Sequence, residues 1–179
     1  MTRKLFSVML AFLMIFAAER ALAGNIGIGA RYALVHMQQA DDNTGMAGAF
    51  VRLGHGLLGL EGTIDYRSKD VGSGTTVKTW PVTASLLVRP LPIVFAGAGV
   101  GWYNTTVDFA DDVLGNQTES TLGYQFGAGV QLPITPMVSL VGDARYHFVD
   151  YDFKDIPSNF DLNDADYYSL HGGLMVWLP

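Results

Sequence analysis

From Leu122 to Leu132 every second residue is apolar (Leu122, Tyr124, Phe126, Ala128, Val130, Leu132), and the residues between them are Gly123, Gln125, Gly127, Gly129 and Gln131. A period of two is the signature of a β-strand. One face is apolar with an aromatic end, and the other carries only glycine and amide, too small and too polar for the packed core of a soluble sandwich. The apolar face is therefore expected to look outward, into lipid. A spanning sheet with open edges leaves unsatisfied backbone groups that cost several kcal/mol each, so such strands persist only in a closed barrel.

The rest of the chain repeats the pattern. From Gly24 to about Met37, Ile26, Ile28, Ala30, Tyr32 and Leu34 oppose Gly27, Gly29, Arg31 and Ala33. A second strand sets Ala47, Ala49, Val51 and Leu53 against Gly48, Phe50 and Arg52, and turns at Gly54-His55-Gly56. The third sets Leu58, Leu60, Ile64 and Tyr66 against Gly59, Glu61, Thr63, Asp65 and Arg67. The fourth carries Trp80 to Val88 outward, with Pro81 as its weak point because proline removes a ladder donor, and ends at Arg89-Pro90-Leu91-Pro92. Val94 to Tyr103 forms a fifth, Ser139 to Phe148 a seventh after the turn Ile134-Thr135-Pro136, and Tyr168 to Leu178 an eighth.

Polar stretches at 38–45, 68–75, 108–119 and 154–164 alternate with short turns, as in small outer-membrane barrels whose long loops face outside and short turns face the periplasm. The fold class expected is all-β, an eight-stranded antiparallel up-and-down transmembrane barrel. Tyr32, Tyr66, Trp80, Trp102, Tyr124, Tyr146, Phe148 and Tyr168 fall toward the loop ends of their strands and are expected to form one interfacial girdle.

Residues 1–23 read as a signal peptide, since Arg3 and Lys4 precede an apolar run and Ala21-Leu22-Ala23 offers a small-residue cleavage site before Gly24. The barrel domain is then 24–179. Zero cysteines exclude a disulfide framework and thiolate metal sites. Losing Arg3, Lys4, Arg20 and Glu19 from 11 basic and 17 acidic residues leaves 8 and 16, a mature net charge near -8. No basic patch argues for nucleic acid.

Most mature acids lie in the loops or their flanks, but Glu61, Asp65 and Asp143 point inward, facing Arg31, Arg52, Arg67 and Arg145. Unpaired charges are costly in a narrow interior and paired ones tolerable, so these residues are expected to form a lumenal charge network. It reads either as a static plug in an interior too narrow for a channel or as a gate whose ion pairs exchange partners. The register also predicts that Val130→Arg blocks insertion while Gly129→Ser does not.

With these residues in place, the mature chain resembles the OmpA-like eight-stranded outer-membrane barrels. The resemblance spans most of 24–179. Its most specific piece is the last strand, where His171, Gly173, Val176 and Leu178 are similar to the family's C-terminal assembly signal, although the chain ends in Pro179 rather than an aromatic. The resemblance implies recognition by periplasmic chaperones and the barrel-assembly machinery, a setting of outer-membrane lipid and lipopolysaccharide, a monomer, and a polar plug with Glu61 and Arg145 on the strands that supply it. The peptidoglycan-binding periplasmic domain of some relatives is expected to be absent.

Other chemistries find less support. Asp161, Asn163, Asp164 and Asp166 form the densest oxygen cluster but lack the central glycine and closing glutamate of an EF-hand loop, so no metal site is assigned. Ser169 and His171, and Asp143 and His147, share inward faces, yet the adjacent His-Ser pair of lipid A deacylase-like barrels is missing, since Phe148 follows His147. The run Gly97, Gly99, Gly101 lies mid-strand and is followed by Trp102, not a helix, so it is no nucleotide loop. No catalytic residue and no cofactor is assigned. The expected role is structural or surface-interacting, with a small passive pore as the alternative and a lipid-modifying enzyme behind both.

Overall fold

The computed structural model describes residues 26–37, 43–70, 76–108, 117–149 and 166–179. Residues 1–23, expected to be a signal peptide, the cluster Asp161-Asn163-Asp164 and most of each long loop lie outside these residues. Eight strands are present: β1 (Ile26–Met37), β2 (Asn43–His55), β3 (Leu58–Asp70), β4 (Thr76–Leu91), β5 (Val94–Asp108), β6 (Gln117–Pro133), β7 (Val138–Phe148) and β8 (Tyr167–Leu178). Each pairs antiparallel with its sequence neighbour, and β1 pairs with β8 to close the barrel. Closure gives every strand two partners and leaves no edge.

The faces fall as the alternation requires. Tyr124 and Phe126 are more than half exposed, as are Leu60, Ile64, Trp102 and Leu170, while Arg52 and Glu61, at 0% and 2%, are buried inside. The barrel is thus apolar outside and charged inside, the reverse of a soluble lipocalin-like barrel. The girdle is contiguous through the register: Tyr146 pairs with Tyr168, Phe148 with Tyr124, and Trp102 with Leu122. Tyr146, Phe126 and Phe148 lie against one another with ring centroids 4.8 to 5.9 Å apart.

Three local features follow from particular residues. Gly56 takes φ of 63°, the left-handed region open to glycine, and closes the β2–β3 turn. Around Pro81 the β3–β4 ladder is interrupted between Ile64–Val82 and Arg67–Thr79, yet the register is unchanged on either side. A bulge between Val88 and Leu91 lets β4 continue past Pro90.

The strands overrun the expected loop boundaries. Residues 43–45, 68–70 and 117–119 are strand rather than loop, because cross-strand pairs such as Asp70–Thr76, Thr106–Thr118 and Thr105–Glu119 continue the ladder above the bilayer. There the outward face meets water, so polar residues no longer oppose strand formation. β4, β5 and β6, at 16, 15 and 17 residues, exceed the ~9 to 11 that a tilted strand needs to span. One side of the barrel therefore stands above the girdle as a paired rim.

Candidate functional site

The lumen is built around Glu61. Arg52 is its direct cross-strand partner and donates to Oε2 through Nε at 3.0 Å and Nη2 at 2.5 Å. Arg145 reaches across the interior from β7 and donates to Oε1 at 2.7 Å, while its Nε donates to Asp143 Oδ1 at 2.5 Å. Arg31 stands 4.0 Å from Oε1 and clasps Asp65 through Nε at 2.9 Å and Nη2 at 2.5 Å. That clasp spans two strand spacings, because Arg31 pairs with Gly48 and Gly48 with Asp65. A Cβ on Gly48 would overlap the Asp65 carboxylate, so only glycine leaves the path open.

Six of the seven predicted network residues thus meet as three arginines and three carboxylates in direct ion contact. The seventh, Arg67, is held differently: its guanidinium lies 5.8 Å from the Tyr167 ring and Nη2 donates to Thr79 Oγ1 at 3.4 Å. Buried ion pairs offset their desolvation only when geometry is good and the remaining donors are satisfied. Arg52 meets that condition, with Nη1 donating to Gln131 Oε1 at 3.0 Å and its guanidinium 4.3 Å from the Phe95 ring centroid.

Two apolar layers enclose this network. Phe50, Leu87, Phe95, Val141, Met175 and Trp177 pack together on the short-turn side, and Ala33, Val35, Met46, Tyr103, Val149 and Tyr167 on the long-loop side. The inward glycines of β5 and β6 give the layers and the arginines their room: a Cβ on Gly127 would lie 2.8 Å from Arg145 Cγ, and one on Gly129 2.7 Å from Phe95 Cζ. The cavity beside Ser85, Leu87, Phe95, Gln125, Asp143 and Arg145 has a volume of ≈ 10 Å³, the threshold for a single water.

Between the network and the long-loop layer runs a neutral hydrogen-bonded chain. Tyr103 Oη meets His147 Nδ1 at 2.9 Å, His147 Nε2 meets Ser169 Oγ at 2.9 Å, and Ser169 Oγ meets His171 Nε2 at 2.7 Å. A serine touching two imidazoles has the reach of a nucleophile and base. The third member is the wrong group, however: the second nitrogen of His147 meets a phenol, and the Asp143 carboxylate is taken by Arg145. Ser169 is only 1% exposed. The arrangement ties β5, β7 and β8 together through Tyr103, His147 and Ser169. A second neutral set links β6 to β4, where Gln125 Nε2 donates to Thr83 Oγ1 and Ser85 Oγ, each at 2.8 Å.

The β8 residues of the predicted assembly signal lie on both faces. His171 points into the lumen and is buried, Val176 and Leu178 point outward, and a Cβ on Gly173 would press on the backbone of Ala30 at 2.5 Å. Among the predicted acidic loop residues that are described, Asp108 pairs with Lys78 at 2.5 Å, Asp70 accepts from Thr76 at 2.8 Å, and Asp166 accepts from Tyr146 Oη and the Val149 amide at 3.1 Å each. These acids tie strand ends together.

Arg89, Phe95, Val141 and Trp177 complete the short-turn layer, and the sequence reading gave none of them a role. The signal was parity: Arg89 and Leu87 share the inward phase of Ser85, and Phe95 that of Gly97. Treating Arg89-Pro90-Leu91-Pro92 as the end of the fourth strand concealed the role of Arg89.

No curated protein sequence matches the chain. Its fold is similar to that of the Neisserial surface protein NspA (TM-score 0.64, 16% identity, 86% of this chain and 96% of that one). It is also similar to Ail, the attachment invasion locus protein of Yersinia pestis (0.57, 16%, 88% and 100%), and to OprG from Pseudomonas aeruginosa (0.56, 16%, 87% and 96%). Likeness at such identities concerns the fold alone. The family model of the outer membrane protein β-barrel domain matches residues 6–175, and with an eight-stranded closed barrel, an apolar exterior and a charged interior, the chain belongs to that family.

Proposed function

We propose that the protein is a closed anchor of the bacterial outer membrane whose role is structural or surface-interacting, exercised by the rim and loops above its girdle. One observation carries this reading: the interior is filled by an ion-paired network between two apolar layers, with ≈ 10 Å³ left in the cavity beside Arg145. A solute would have to displace an apolar layer at each end as well as part ion pairs. Two neighbours have names in keeping with surface roles, a Neisserial surface protein and an attachment invasion locus protein.

On this reading the surroundings are outer-membrane lipid and lipopolysaccharide, and the barrel acts as a monomer after removal of residues 1–23. The barrel-assembly machinery and periplasmic chaperones meet β8 before closure, while His171 is still accessible. The test is conductance across a planar bilayer, with protease protection of the same sample reporting insertion. Inserted protein is expected to give no steady openings. Steady openings from inserted protein would overturn the anchor reading in favour of a small passive pore.

A further inference from the structure

We propose that the short-turn mouth of the lumen binds a small oxyanion, a carboxylate or phosphate group, between Arg89 and Trp177. Arg89 lies on the inward face of β4 with its guanidinium carbon 5.7 Å from the Trp177 ring centroid. Its Nε and Nη2 are buried and have no hydrogen-bond partner among the described residues, and the indole Nε1 of Trp177 is in the same condition. Three desolvated donors therefore belong to one stacked pair. Leaving such donors unmade costs more than a made hydrogen bond gains, and a guanidinium cannot shed its charge to escape.

The pair is seated by the backbone. The Arg89 amide donates to Leu57 O and the Trp177 amide to Met137 O, each at 2.8 Å. Glycines lie beneath both: a Cβ on Gly59 would stand 3.4 Å from Arg89 Nη2, and one on Gly27 would stand 3.2 Å from Trp177 Cε3. Charge points the same way. The three lumenal carboxylates are engaged by Arg31, Arg52 and Arg145, and Arg67 has Thr79 and the Tyr167 ring.

Arg89 thus stands at the mouth as a cation whose buried N–H groups no described acid accepts. A guanidinium fork beside an indole N–H matches an acceptor with two or three oxygens and negative charge. Arg89 is half-buried, so the site is open toward the short-turn side. Leu87, Phe95 and Met175 close it above, which limits the occupant to a single anionic group.

The test uses a Trp80→Phe/Trp102→Phe background, which leaves Trp177 as the sole tryptophan, refolded into detergent micelles. Trp177 emission is followed on titration with sodium phosphate and, separately, sodium acetate, with sodium chloride holding ionic strength. A saturable change at millimolar concentration is expected with at least one anion, and the comparison separates phosphoryl from carboxylate recognition. Arg89→Gln should abolish it. Arg89→Lys, which keeps charge and packing but loses the fork, should weaken it at least fivefold and carries the test if Arg89→Gln does not fold. No saturable response to either anion, or an unchanged response in the folded Arg89 variant, would overturn the proposal.

Discussion

Replacing Glu61 with glutamine tests how the lumen is held together. The carboxylate accepts two bonds from Arg52 and one from Arg145, with Arg31 at 4.0 Å. Removing one partner of a buried ion pair costs about 3–5 kcal/mol, because the remaining charge stays desolvated. Glu61→Gln is therefore expected to lose about 4 kcal/mol, a fall of about 2 M in the urea midpoint at the slope of a small protein. Arg52→Met should cost less, about 2–3 kcal/mol, since Glu61 keeps Arg145.

The double variant Arg52→Met/Glu61→Gln distinguishes pairing from bulk. It leaves Arg31 with Asp65 and Arg145 with Asp143, both already at 2.5 Å, so its loss should fall about 2–3 kcal/mol short of the sum of the singles. The other partner of Glu61, Arg145, offers a second double variant. The structure shows why that choice should fail to rescue: it strands Arg52 on the neutral Gln131 and leaves Asp143 without Arg145. Urea titration in phospholipid vesicles, read by heat-modifiable gel mobility, measures all four variants. Additive losses for Arg52 and Glu61, or a Glu61/Arg145 double variant as stable as the Arg52/Glu61 one, would refute the pairing scheme.

Val130→Arg places a cation on the lipid face and should cost about 2–4 kcal/mol, blocking insertion where Gly172→Ala, with open space around its Cβ, does not; normal insertion of the arginine variant would reverse the faces. Gly129→Ser, expected from sequence not to block insertion, should nonetheless destabilise the barrel, since its Cβ would lie 2.5 Å from Asp143 Cβ; an unchanged urea midpoint would contradict this. Lys78→Ala breaks a part-exposed pair with Asp108 and should shift stability by no more than about 1 kcal/mol, and less at high salt. Arg145→Ala should leave the inserted barrel electrically silent, because both apolar layers remain; openings in that variant would make the charge network the gate.

The architecture was legible because a lipid-facing barrel writes its two environments on alternate residues. Strands such as 122–132, 58–66 and 168–178 gave their faces without error, since a one-residue slip would put every charge into lipid. Boundaries were less legible: above the girdle both faces meet polar surroundings, so Thr105, Thr106 and Thr118 carry no alternation to mark them as strand. The charged members of the lumen could be named, but their pairing could not. Which arginine meets Glu61 depends on shear and on the reach of side chains across the barrel, as with Arg145, which lies 84 positions away in sequence. The apolar layers were hidden for another reason. Phe50, Phe95 and Trp177 on an inward face break the polar-inside rule, and only their convergence from different strands makes them a layer.

That convergence bears on the role proposed for the chain. A charge network alone can exchange partners at little cost, because Arg31 and Arg145 each stand near two carboxylates. Placed between Phe95 and Trp177 at one end and Tyr103 and Tyr167 at the other, an exchange of partners opens no path, since neither layer hangs on an ion pair: Tyr103 is fixed by His147 and the Trp177 amide by Met137 O. The rim above the girdle is a continuous ladder from Asp70–Thr76 through Lys78–Thr106 to Thr106–Thr118. On the proposed reading, apolar layers at both ends of the charge network, beneath a paired rim, suit contact with an outside partner better than passage through the barrel.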